Sequence, residues 1–245
     1  MLLSPRELLR DSVRLFRAEF WMYVGYAAWL MVPIAAFYFA SALPKGTVTT
    51  MLVIGTILAE LFVSLWIAIC LMRATQTLEA GHKLDVKIIS QQSLRRIQPV
   101  LIVGFLQALI VLGGFLLLVI PAILFWVWYA FAQIGAAIDD QSPVAALSSS
   151  RALVRGRFFP VLWRLVAGPV VLWLLYAFTL ASVLLLLSNV LGQDVAIMFS
   201  DARPLWVRLL DVIANLFVIP LFFIYTVLLY KNLKATPLEK VSPVA

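Results

Sequence analysis

Hydrophobic positions in this chain gather into long runs, separated by segments where charged and apolar residues alternate at helical spacing. Runs of about 20 apolar residues match a ~30 Å hydrocarbon core at the 1.5 Å rise of a helix. They predict six membrane-spanning helices, over Phe20–Ala42, Met51–Met72, Val100–Leu118, Ile120–Ile138, Phe159–Leu187 and Trp206–Tyr230. The third and fourth lie within 39 residues between Pro99 and Asp139 that carry no formal charge. A single helix of that length would extend about 58 Å, too long for a bilayer. A tight hairpin is expected there, broken by Gly113-Gly114 or Pro121.

The polar segments carry a second pattern. Leu8, Leu9, Ser12, Leu15, Phe16, Arg17 and Phe20 correspond in spacing to Ala146, Leu147, Ser150, Leu153, Val154, Arg155 and Phe158. Each set follows a Ser-Pro pair, Ser4-Pro5 and Ser142-Pro143, the usual opening of a helix. The apolar positions form one helical face with the serine at its centre. A fainter third copy keeps the phase at Ile89, Ser93 and Ile97, with Arg96 interrupting the stripe. These segments predict amphipathic surface helices, apolar face on lipid and arginines toward anionic headgroups. Gly156 is expected to end its helix in a left-handed cap, and Phe158 to dip into the interface. A buried serine can return its hydroxyl to its own i−4 carbonyl and let a neighbouring helix approach. Ser150 as a nucleophile would need a base, but no His or Lys lies nearby and Ser12 duplicates it.

The predicted architecture is therefore an all-α polytopic bundle of six transmembrane helices and three interfacial amphipathic helices. It forms a single integral membrane domain over residues 1–245, with helix-plus-hairpin repeats over about 4–72, 85–138 and 142–230. Residues 231–245 form a short tail. Composition agrees: 64% of residues are hydrophobic and 13% charged, against about 25% charged in soluble domains. Sixteen of the nineteen Lys and Arg residues fall on one side of this topology; Lys45, Arg203 and Arg208 fall on the other. The positive-inside rule then puts both termini in the cytoplasm, as in a bacterial inner-membrane protein. The net charge of +7 is explained by this asymmetry, so no nucleic-acid partner is expected. The first apolar run exceeds a signal-peptide core of about 7–15 residues and follows a leader with three acids, so it is expected to be retained.

The stretch from Ile120 to Leu162 resembles the membrane-domain family attached to glycerophosphodiester phosphodiesterases, and related uncharacterised six-helix bacterial membrane proteins. The resemblance rests on Ile120-Pro121-Ala122, Ala146-Leu147, Ser150, Leu153-Val154, Gly156 and Phe158, and on the closing Leu229-Tyr230-Lys231-Asn232-Leu233-Lys234. Ala122 stands where the family usually has Gly. The resemblance implies a membrane fold without an activity, because the relatives' phosphodiester chemistry belongs to a separate soluble domain. Fifteen residues follow Tyr230, and that domain is expected to be absent.

Polar groups inside the spans are the remaining candidates. Glu60 sits near the centre of the second span, with Thr56 and Ser64 one turn to either side. An acid at that depth costs ~2.5–3.5 kcal/mol on insertion scales. Asp211 and Asn215 share a stripe on the sixth span with Arg208 nearby, and Gln107 and Gln133 lie in the third and fourth. These groups either bond across helices and fix the bundle, or serve a small transporter or channel through Glu60 and Asp211. Arg164 is expected to snorkel to the interface. The chain has one cysteine, Cys70, and one histidine, His82. It offers no Cys/His metal spacing, no Walker loop and no GxGxxG, so no catalysis, metal or cofactor is expected. The leading expectation is a non-enzymatic membrane protein that engages anionic lipid headgroups or an unidentified protein partner.

Overall fold

The computed structural model describes residues 2–192 and 204–236, and among these every regular element is an α-helix. In chain order they are α1 (Pro5–Ala18), α2 (Phe20–Ala28), α3 (Met31–Ala42), α4 (Thr47–Glu79), α5 (Val86–Leu117), α6 (Val119–Tyr129), α7 (Ala132–Ile138), α8 (Pro143–Val154), α9 (Phe158–Leu191) and α10 (Leu205–Ala235). Six stretches are long and apolar enough to cross a membrane: Phe20–Ala42, Thr47–Glu79, Val86–Leu117, Val119–Ile138, Phe158–Leu191 and Trp206–Ala235. The protein is an all-α, multi-pass membrane protein. Large apolar side chains such as Trp21, Phe39, Phe105 and Phe178 stand exposed along these spans, as a lipid-facing surface requires. Arg203, Lys240 and the tail beyond Thr236 lie outside the described residues.

Local chemistry explains where helices break. The first span divides at Trp29 and Leu30, because the ring of Pro33 crowds the carbonyl four residues back, that of Trp29. The turn between α5 and α6 is the single extended residue Leu118 (φ 179°, ψ 163°). Gly114 lets the hairpin close: a Cβ there would lie 2.7 Å from the Phe125 ring and 3.0 Å from the Ala122 Cα. Pro121 sits in the first turn of α6, where no N–H is required.

Two of the three amphipathic segments, α1 and α8, are separate elements, whereas the third forms the opening turns of the long helix α5. In α8 the chain turns out of the helix at Gly156, which takes the left-handed conformation (φ 84°). Counting six residues from each serine, Gly156 of α8 corresponds to Pro99 of α5. Proline holds φ near −65°, so α5 continues through it into the span. Asp85 starts α5 by accepting the N–H groups of Lys87 and Ile88 at 2.9 and 3.1 Å.

Contacts sort the chain into two compact units, one of residues 1–15, 65–168 and 223–245, the other of residues 16–64 and 169–222. The first holds a core that includes Leu8, Ile69, Val103, Val127, Phe131, Ala146, Val154 and Leu229. The central serines of the three amphipathic segments are all buried, Ser12 and Ser93 at 0% exposure and Ser150 at 1%. The stripes of α1 and α8, expected to rest on lipid, therefore pack into protein. Small residues at these positions let the helices approach one another, which removes the apolar face from the bilayer. In the second unit Phe16 packs against Phe20 and Tyr23, with ring centroids 5.4 and 6.0 Å apart. Phe20 stacks on Phe217 at 6.0 Å, and Leu184 and Val207 form a smaller cluster.

Candidate functional site

Within the first unit, the polar chemistry concentrates around the link between α7 and α8. Asp139 and Asp140 are the only acids between Asp85 and Asp194. Asp140 adopts a left-handed conformation (φ 56°), which aspartate tolerates better than most residues. Its carboxylate accepts Arg73 of α4 at 2.5 Å and Arg96 of α5 at 2.7 Å. Arg96 also donates to the Asp140 carbonyl at 3.1 Å. Asp139 accepts the Tyr230 hydroxyl and, at 2.7 Å, the Lys234 ammonium, both from α10. Glu79 pairs with Lys231. Two adjacent acids thus fasten α4, α5 and α10 to the start of α8.

Arg157 and Arg164 serve backbone carbonyls instead. Arg157 is 8% exposed. It donates to Leu153 at 2.7 Å, Leu233 at 2.7 Å and Thr236 at 2.5 Å. It therefore satisfies carbonyls at the C-terminal ends of both α8 and α10, where helices leave acceptors unpaired and carry partial negative charge. Burial pulls its pKa below the ordinary guanidinium value, but Arg stays charged at neutral pH. Arg164, expected to snorkel, bonds the carbonyls of Leu3 at 2.7 Å and Leu2 at 3.3 Å. The chain before α1 lies within its reach and supplies acceptors that water would otherwise provide. Asn232 accepts the Leu3 N–H at 3.0 Å.

The structure separates the two expected roles of the stripe serines. Ser12 returns its hydroxyl to the Leu8 carbonyl at 2.7 Å, as expected. Ser150 reaches out of its helix, donating to the Trp128 carbonyl at 2.7 Å and accepting the Phe131 N–H at 3.2 Å. Those backbone groups flank the interruption between α6 and α7 at Ala130 and Phe131. Ser150 thus replaces helix hydrogen bonds that the interruption removes. Ser4 and Glu7 form a reciprocal capping box on α1, the Ser4 N–H donating to Glu7 at 2.7 Å and the Glu7 N–H to Ser4 at 3.3 Å. These bonds hold the Glu7 carboxyl below its usual pKa. Ser142 makes no such side-chain bond; the position matching Glu7 is Ala145.

A groove of about 420 Å³ runs along the outer face of α8, lined by Tyr129, Val144, Leu147, Ser148, Arg151, Ala152 and Arg155. Arg151 and Arg155 are exposed, as is Arg17 on α1. The Arg151 guanidinium sits 4.6 Å from the Trp128 ring centroid, a cation–π arrangement. Two further cavities, of about 280 and 340 Å³, share Tyr230 and Lys234 in their walls.

The candidate residues within the spans divide. Gln133 donates to Gln107 across α7 and α5 at 3.4 Å. In the second unit Tyr176 of α9 donates to Asp211, and Asn215 donates to the Tyr176 hydroxyl at 3.2 Å. Arg208 stands over the Tyr38 ring at 5.7 Å. Thr56 and Ser64 bond carbonyls of their own helix, Val53 at 2.8 Å and Leu61 at 3.0 Å. Glu60 is half-buried, and the bonding groups around Thr56 and Ser64 do not include it. The polar stripe of α4 is thus a set of separate local bonds. Sequence reasoning missed Asp139, Asp140, Tyr230 and Arg157; the isolated acid pair in a long acid-free stretch was the available signal.

No group of three or more His, Cys, Asp or Glu residues among the described residues could hold a metal ion. The chain matches no family model, no curated protein and no solved structure.

Proposed function

We propose that this is a non-enzymatic integral membrane protein that engages anionic lipid headgroups or a protein partner through the basic outer faces of α1 and α8. One observation carries the reading: Arg6, Arg10, Arg14 and Arg17 of α1, with Arg151 of α8 and the adjoining Arg155, are exposed opposite buried stripes. Arginines so arranged attract an acidic surface, each worth about 1 kcal/mol near anionic lipid. The positive-inside asymmetry supports a bacterial inner-membrane location with both termini cytoplasmic. The resemblance to the phosphodiesterase-associated membrane domains supports the same setting. The test is the thermal unfolding of the purified full chain in neutral detergent, titrated with phosphatidylglycerol or phosphatidylcholine. Selective stabilisation by phosphatidylglycerol that weakens with salt is expected; equal shifts with both lipids would overturn the lipid reading.

A second reading, a small transporter or channel using Glu60 and Asp211, is favoured by the Tyr176–Asp211–Asn215 cluster within candidate spans. Intramembrane acids commonly mark ion or proton routes. Proteoliposome flux that survives Glu60→Gln and Asp211→Asn unchanged would remove this reading.

A further inference from the structure

We infer that the groove on α8 is a binding site for the phosphoryl group of an anionic phospholipid, with Arg151 and Arg155 as its ligands. This rests on the lipid-engaging reading above and narrows it from a basic surface to one built site. Four observations meet there.

The first is uncompensated charge. Arg151 and Arg155 line one groove, and neither is in any ion pair among the described residues. Nearby acids are committed elsewhere, Asp140 to Arg73 and Arg96, and Asp139 to Lys234. The C-terminal end of α8 contributes only about half a negative charge, so two guanidiniums leave the groove strongly positive.

The second is spacing. Arg155 caps α8 with its N–H on the Arg151 carbonyl at 3.0 Å, so the two positions lie one turn apart, a spacing that brings Cβ atoms to about 6 Å. Two guanidiniums at that separation can converge on the oxygens of one phosphate, each as a planar pair of donors.

The third is pre-organisation. Arg151 rests against the Trp128 ring, which limits the positions of its guanidinium before any ligand arrives. Tyr129 adds a hydroxyl that makes no hydrogen bond among the described residues.

The fourth distinguishes a lipid from a free anion. Val144, Leu147 and Ala152 form an apolar wall to the same groove, and Val144 is 74% exposed. A phosphate ion gains nothing from that wall, whereas a phospholipid can lay its glycerol and first acyl carbons along it.

The experiment uses the full chain in neutral detergent, with bound lipid counted by native mass spectrometry during titration with short-chain phosphatidylglycerol. The expected result is a saturable site whose affinity falls about thirtyfold in Arg151→Gln/Arg155→Gln and is largely kept in Arg151→Lys/Arg155→Lys. The control Lys83→Gln/Lys87→Gln removes two exposed charges away from α1 and α8 and should leave that site intact. Equal losses in the two Gln pairs would overturn the groove, because only net charge would then matter. Selective binding unchanged in Arg151→Gln/Arg155→Gln would overturn the groove and leave the wider lipid reading standing. No selective binding by the unsubstituted chain would overturn both. Displacement of the lipid by millimolar inorganic phosphate would assign the site to a soluble anion and overturn the lipid assignment.

Discussion

Ser150 and Trp128 are joined by a 2.7 Å hydrogen bond from a side-chain hydroxyl on α8 to a main-chain carbonyl at the end of α6. The same hydroxyl accepts the Phe131 N–H at 3.2 Å. It therefore repairs backbone bonding on both sides of a helix interruption. Ser12, at the matching position of α1, touches only the Leu8 carbonyl of its own helix. The two serines should respond differently to the same substitution. Ser150→Ala strands a donor and an acceptor in the core and should cost about 1–3 kcal/mol. Ser12→Ala should cost well under 1 kcal/mol, because the Leu8 carbonyl keeps its helical partner. Denaturation of the two variants, followed by tryptophan fluorescence in the same detergent, measures the contrast.

Arg157 joins the ends of α8 and α10 through the carbonyls of Leu153, Leu233 and Thr236. Arg157→Met should destabilise by about 3 kcal/mol, the scale of losing several charge-assisted bonds in a buried setting. Arg157→Lys should recover less than half, since an ammonium on a flexible stem does not reproduce the planar fork. Full recovery by Lys in the same unfolding measurement would show that charge alone matters at this position.

Gly168 lies against the ring of Tyr225, so tightly that any Cβ would overlap ring carbons. The Tyr225 hydroxyl donates to the Arg164 carbonyl at 2.6 Å, which prevents the ring from swinging aside cheaply. Gly168→Ala should therefore cost about 1–3 kcal/mol through overpacking. Combining it with Tyr225→Leu should be less costly than the sum of the two single changes. A double-mutant cycle on thermal stability checks this coupling.

The capping box of α1 predicts a dependence on pH. The Glu7 carboxyl is held below its unfolded pKa by Ser4. Its stabilisation is therefore present above the ordinary carboxylate range and fades as pH falls through the lowered folded value. Hydrogen-exchange protection of the Ser4 amide should be high at neutral pH and decline in acid. In Glu7→Gln the protection should be lower at neutral pH and flat across the same range. An identical acid decline in Glu7→Gln would assign the effect to another group.

Residues whose role follows from their own helix were legible in the sequence. The six apolar runs, the Ser4-Pro5 start, the Gly156 stop and the Ser12 back-bond all depend on neighbours within a turn or two. Boundaries ran short for α4 and α5. α4 runs on to Glu79 through Thr75 and Thr77, whose hydroxyls bond back to carbonyls of their own helix, and Asp85 caps α5 well before its apolar run. Residues whose partners lie far along the chain were not legible. Gln107 and Gln133 could be recognised as polar groups needing partners, but nothing local said they would find each other. Arg157 looks in sequence like any other basic residue beside a membrane, and only the tertiary arrangement brings the end of α10 to it. The third amphipathic segment misled for a subtler reason. Its stripe is present, but a proline stands where a glycine would have ended the helix.

The hairpin of α5 and α6 turns on one leucine, and the side chains from Phe115 to Ile120 around that turn are all apolar and all exposed. Carrying a polar loop through hydrocarbon is a major barrier when a membrane protein is inserted, and this pair has no such loop to carry. With both termini cytoplasmic, as proposed above, the link from α3 to α4 brings Lys45 with it. In that orientation the middle hairpin can slip into the bilayer as a closed pair, tip first, with no charge translocated.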